Sequence, residues 1–141
     1  MSDRIPANLR RLVQERAEQR CEYCLLHSDN AFLSHEPDHI IARKHDGRTS
    51  EENLAWSCFI CNRFKGTDIS SIDPESGEIT SLFHPRKDVW NEHFRLERGT
   101  IVGLTAKGRA TSFLLQFNRR ESVEIRNLLQ KTGQYPRSIL L

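Results

Sequence analysis

The chain has 141 residues, 37% hydrophobic and 28% charged, a balance that suits one folded domain over residues 1–141 and is too apolar for wholesale disorder. No stretch approaches the roughly 18 consecutive apolar residues of a membrane span, and Met1 to Arg20 is charged rather than signal-like, so no membrane association and a cytoplasmic location are expected. A formal charge of +2 is small, so any case for a polyanionic partner must rest on where the bases cluster.

In chain order, Pro6 followed by Asn8 to Arg20 carries Leu9, Leu12, Val13 and Ala17 at helical spacing, which predicts a helix leading into Cys21. A short turn, CEYC, comes next. An extended run then ends in Asp38-His39-Ile40-Ile41, where the β-branched pair favours a strand. The polar loop KHDGRTSEE has a turn signal at Asp46-Gly47 and a candidate cap at Ser50. Asn53 to Ser57 reads as a second strand, and Cys58 to Ile69 as a turn running into a short helix. Further on, an acidic turn at Asp73–Glu78 precedes a strand over Ile79 to Phe83, and Pro85 to Asn91 suggests a helical turn. Phe94 to Val102 reads as a hairpin with Arg98-Gly99 at its tip, followed by helices over Thr105 to Phe117 and Glu121 to Lys131.

Cysteine arithmetic gives the sharpest signal. Cys21 and Cys24 form one C-x2-C pair, Cys58 and Cys61 a second, and the chain has no other cysteine. Two such hooks can place four thiolates around a tetrahedral ion, the closed arrangement of structural zinc. In a reducing compartment a metal explains the matched pairs better than disulfides do. Four thiolates and one zinc ion would remove the small positive excess, so net charge lends no support to nucleic-acid binding.

Between and just beyond the hooks stand Asp38-His39, Asn53-Leu54 and Asn62. The series C-x2-C, D-H-I-I, N-L, C-x2-C-N-R-x-K-G, spanning Cys21 to Gly66, resembles the HNH endonuclease family in order, identity and spacing. The resemblance implies a ββα-metal core (21–66) with a four-cysteine zinc site; with the N-terminal helix and the C-terminal extension (67–141) of a hairpin plus helices read above, the expected fold is α+β. The resemblance also implies hydrolysis of DNA phosphodiester bonds with one divalent ion, Mg2+ or Mn2+, distinct from the structural zinc. Asp38 and Asn62 offer the hard oxygen ligands such an ion prefers. His39, next to Asp38 on an extended segment, would face the other way and act as general base. Asn53 would orient that histidine or brace the loop between the strands. Glu36 departs from the pattern, because many such proteins have a further histidine there.

Arg43 and Lys44 in the loop and Arg63 and Lys65 on the short helix are candidate phosphate contacts, as is His93 in the segment WNEHF. His35 and His45 are weaker candidates as ligands or proton carriers. The expected partner is DNA, with RNA left open. The competing reading is a zinc-stabilised module that binds nucleic acid or protein without chemistry.

Overall fold

A computed structural model describes residues 4–137. Helix α1 (Ala7–Arg16) starts behind Pro6, whose carbonyl accepts the Arg10 N–H at 2.9 Å. Its apolar stripe packs Val13 and Ala17 onto Leu54 and Trp56, with Leu9 and Leu12 at the margin. The helix is shorter than the sequence suggests. Glu18 and Gln19 both take left-handed conformations, φ 54° and 67°, and swing the chain into the first cysteine hook.

Strands β1 (Glu36–His39) and β2 (Leu54–Ser57) pair antiparallel, with Asp38 opposite Ala55 and His39 opposite Leu54. The expected strand through Ile41 stops at His39, although Ile40 adds one more bond by donating to the Asn53 carbonyl at 2.8 Å. The loop between the strands holds two 3-10 turns, Arg43–His45 and Glu51–Asn53. Asp46 closes the first in a left-handed conformation, and Gly47 follows because a Cβ there would overlap the Ile41 carbonyl oxygen. Ser50 precedes the second turn but its side chain caps nothing, contrary to expectation.

Helix α2 (Phe59–Lys65) follows at once, with the Cys58 sulfur accepting the Cys61 N–H as its N-cap, and it ends at Gly66 with φ 53°. The order β1, β2, α2 is the expected ββα unit, and its helix and small antiparallel sheets make the fold α+β.

Beyond it, β3 (Ser70–Ile72) and β4 (Ile79–Ser81) form a hairpin around the acidic turn. Asp73 in that turn is fully buried. Its carboxylate accepts from Arg109 Nε and Nη2, both at 2.9 Å, and from Ser76 Oγ at 2.8 Å; the guanidinium holds its pKa well below the usual carboxylate range. Where a helical turn was expected over Pro85 to Asn91, a turn at 85–87 precedes the single-turn helix α3 (Trp90–His93). Strands β5 (Phe94–Glu97) and β6 (Thr100–Gly103) form the expected hairpin, with positive φ at both Arg98 and Gly99. Helices α4 (Ala106–Leu114), capped by Thr105, and α5 (Arg120–Lys131) follow. Among the described residues no helix is long and apolar enough to cross a membrane.

The cysteine hooks and the C-terminal extension share one core. Cys21, Cys24, Cys58 and Cys61 belong to the same buried cluster as Phe83, Phe94, Ile101, Leu115 and Phe117. Edge-to-face ring contacts link Phe83 to Phe94 (5.4 Å) and Phe94 to Phe117 (5.6 Å). Side-chain hydrogen bonds tie the extension to the first hook: Trp90 Nε1 donates to the Tyr23 carbonyl, Tyr135 Oη to that of Cys24, and Arg86 to the Glu22 carboxylate. The site on the ββα unit therefore rests on a foundation the extension helps to build.

Candidate metal centre and active site

The four cysteine sulfurs lie within 4.8 Å of one another, all buried and none in a disulfide. Cys24 Sγ and Cys58 Sγ, from opposite hooks, are 3.7 Å apart. A zinc ion with Zn–S bonds of about 2.3 Å needs tetrahedron edges of about 3.8 Å, so the cluster has the dimensions of a structural zinc site. Each hook also directs backbone N–H groups at sulfur: Tyr23 and Cys24 donate to Cys21 Sγ, and Cys61 to Cys58 Sγ, each at 3.4 Å. Such bonds favour thiolate over thiol.

A second constellation lies where α2 crosses β1. Asp38 is largely covered, its side chain 15% exposed, and its Oδ2 is buried without a hydrogen-bond partner. The nearest cation is Lys65 Nζ, 3.4 Å from that oxygen, which also donates to the His39 carbonyl at 3.1 Å. Burial raises the Asp38 pKa, and the Lys65 charge opposes that rise. Asn62 is one helical turn before Lys65, so the two share the helix face that meets β1. Within the described residues the Asn62 side chain makes no hydrogen bond. An under-satisfied buried carboxylate and an uncommitted amide oxygen across a strand–helix junction are a donor set that suits a hard divalent ion.

His39 follows Asp38 at the end of β1, and its ring engages the loop between the strands. Its Nε2 is 2.8 Å from Thr49 Oγ1, and that hydroxyl oxygen accepts from Arg43 Nη1 at 3.3 Å. Thr49 was not among the residues singled out from sequence; a threonine in a polar loop carries no signal until the loop folds back. Asn53 clamps that loop. Its Oδ1 accepts from the Ile41 N–H at 2.9 Å, and its Nδ2 donates to the carbonyls of Ile41 (2.9 Å) and Arg48 (2.7 Å). Asn53→Ala would strand these groups in a half-buried loop, and an expected loss of about 1–3 kcal/mol should appear as a lower melting temperature. Parent-like melting would mean that water replaces the clamp.

The basic candidates separate. Arg43, Lys44 and Arg63 are exposed. Lys65, expected on phosphate, is instead 2% exposed and committed to Asp38 and the His39 carbonyl. Lys65→Met should therefore cost stability, about 3–5 kcal/mol, because it strands the Asp38 charge. Adding Asp38→Asn should restore part of the loss in a thermal-melt double-mutant cycle. Unchanged melting with weaker nucleic-acid binding would return Lys65 to the phosphate role.

His93, also expected on phosphate, is half-buried, its Nδ1 2.7 Å from Thr105 Oγ1 and its ring edge-on to Phe83. His35 is buried against Trp56 with Nε2 2.9 Å from the Leu26 carbonyl, and His45 Nε2 lies 3.1 Å from the Thr67 carbonyl. Glu36 is paired with Arg10 at 2.8 Å.

Neither the curated proteins nor the solved structures contain a match to the chain. The family model described as HNH endonuclease matches residues 21–68, the span from the first cysteine hook through the end of α2. Residues 21–68 are accordingly an HNH endonuclease domain, built around a four-cysteine cluster of zinc-site dimensions and set within a longer chain.

Proposed function

We propose that this chain is a nuclease that hydrolyses DNA phosphodiester bonds with one divalent ion, Mg2+ or Mn2+. Zinc at Cys21, Cys24, Cys58 and Cys61 would hold the fold. Residues 1–141 would act as one unit in the cytoplasm, with the extension supporting the core. What supports the reading is the under-satisfied Asp38 carboxylate on β1 beside helix α2, whose Lys65 reaches it and whose Asn62 lies one turn earlier, with His39 on the same strand bonded to Thr49.

Asp38 and Asn62 would hold the divalent ion. When bound, that ion supplies positive charge against the phosphate oxygens. The chain's own residues do the rest. In the tautomer whose Nε2–H donates to Thr49 Oγ1, the His39 Nδ1 would carry the lone pair that takes a proton from the attacking water. Asn53 holds the loop that presents Thr49, and so fixes the ring at one remove. Arg43, Lys44 and Arg63 are placed at the surface, where they can meet backbone phosphates.

One observation favours the alternative of a binding module without chemistry: Lys65 already supplies a counter-charge to Asp38, which lessens the need for a metal there. Incubating supercoiled plasmid with the zinc-loaded chain separates the two. The nuclease reading expects nicked or linear product with added Mg2+ or Mn2+ and none in their absence. DNA binding with no cleavage under either ion would favour the module.

A further inference from the structure

Helix α2 presents chemistry on two sides. Asn62 and Lys65 belong to the face on β1, whereas Phe59 and Arg63, one turn apart, are exposed. Beside them opens a cavity of about 350 Å3 between the cysteine hooks, the segment 30–33 and the start of α5. Its rim is aromatic and apolar: the Phe32 ring is wholly presented to solvent, and Phe59 and Ile125 are 46% and 49% exposed. Phe64, in its wall, has the guanidinium carbons of Arg63 and Arg119 at 5.8 and 5.7 Å from its ring centroid.

Charge complementarity decides what such a groove takes. Three arginines line it and no carboxylate does. Arg126 is buried and committed to the carbonyls of Gly99 and Phe117. Arg63 and Arg119 form no ion pair among the described residues. An apolar floor alone would accept any hydrophobic segment. Two uncompensated guanidiniums with no acid beside exposed rings select an occupant that combines flat π-faces with anionic charge, and each nucleotide supplies both. The volume falls in the range of small-ligand pockets. In a duplex the base faces are covered, so the occupant is unpaired.

We propose that this groove binds unpaired nucleotides of a single-stranded nucleic acid, stacking bases on Phe32 and Phe59 while Arg63 and Arg119 take the phosphates. The proposal rests on the nuclease reading in one respect: it makes single-stranded or locally melted nucleic acid the favoured substrate class.

The test is fluorescence anisotropy of the full, zinc-loaded chain without Mg2+ or Mn2+. A labelled thymidine oligomer is compared with an abasic oligomer of the same phosphate count. The thymidine oligomer should bind about tenfold or more tightly. Phe32→Ala and Phe59→Ala, both at exposed positions and checked by circular dichroism, should each remove roughly tenfold of thymidine affinity and leave abasic binding unchanged. Arg63→Gln combined with Arg119→Gln should weaken both. Equal binding of the two oligomers, or phenylalanine variants at parent affinity, overturns the proposal. So does a Phe59→Ala variant that turns a dimer into a monomer with oligomer binding intact, which would make the groove a contact between copies. Because the assay contains neither Mg2+ nor Mn2+, the two readings fail separately. A chain that prefers thymidine but cuts nothing keeps the groove and loses the nuclease; one that cuts duplex without base preference loses only the groove.

Discussion

Replacing His39 with alanine is expected to lower the cleavage rate by roughly a hundredfold to ten-thousandfold, the span that a positioned general base contributes. The expectation follows from where the ring sits. The ring is hydrogen-bonded to Thr49 in the loop, so its removal leaves the Asp38 carboxylate and the Asn62 amide in place. The Lys65 bond at this position goes to the backbone carbonyl and survives the substitution. The zinc cluster and its core contain no atom of the imidazole. Zinc content, melting temperature and DNA affinity should therefore stay near those of the parent while single-turnover cleavage collapses. Thr49→Val provides a graded control, since it removes the hydroxyl that fixes the ring and keeps the ring itself. Its expected loss is smaller, on the order of tenfold, with zinc content unchanged. Undiminished turnover in His39→Ala would remove this residue from the chemistry. A large loss of melting temperature would mean that the histidine is structural.

What was legible in the sequence was whatever depends on spacing along the chain. The α1 stripe of Leu9, Leu12, Val13 and Ala17, the two cysteine hooks, the β5–β6 turn at Arg98-Gly99 and the β1–β2–α2 order all follow from local periodicity or turn chemistry, and the structure has each of them. What escaped depends on distant contacts. Ser70–Ile72 has too little apolar pattern to announce a strand, and it becomes one only by pairing with Ile79–Ser81. Asp73 reads as a solvated acid in a turn until Arg109, from α4, forks onto it. Lys65 reads as a surface cation because lysines usually are. Only the packing of α2 on β1 shows that its ammonium is internal. Thr49 and His39 are brought together by a loop whose path depends on the Asn53 clamp. Asn53 itself was singled out from sequence with two alternatives, orienting the histidine or bracing the loop, and its hydrogen bonds lie with the loop backbone.

Removing the metal from the four-cysteine cluster should unfold the whole chain in a single transition. Structural zinc contributes on the order of 10 kcal/mol to folding at neutral pH, against a typical net domain stability of about 5–15 kcal/mol. The location of the hooks makes substitution by packing difficult. Cys21 and Cys24 follow α1, Cys58 follows β2 and caps α2, and Cys61 lies within α2, so the sulfurs are the point at which these elements converge. The same sulfurs belong to the cluster that holds Phe94, Ile101 and Phe117 of the extension, and Tyr135 Oη and Trp90 Nε1 anchor on carbonyls of the first hook. A core half that loses its ion therefore withdraws the surface on which the other half packs. Elemental analysis should give one zinc per chain. A strong chelator should abolish the near-ultraviolet signal of Trp56 and Trp90 together, and Cys61→Ser should not accumulate as folded protein. A chelated chain that keeps its melting transition would show that hydrophobic burial alone holds these elements. Loss of the Trp56 signal with the Trp90 signal intact would show that the extension folds without the HNH core.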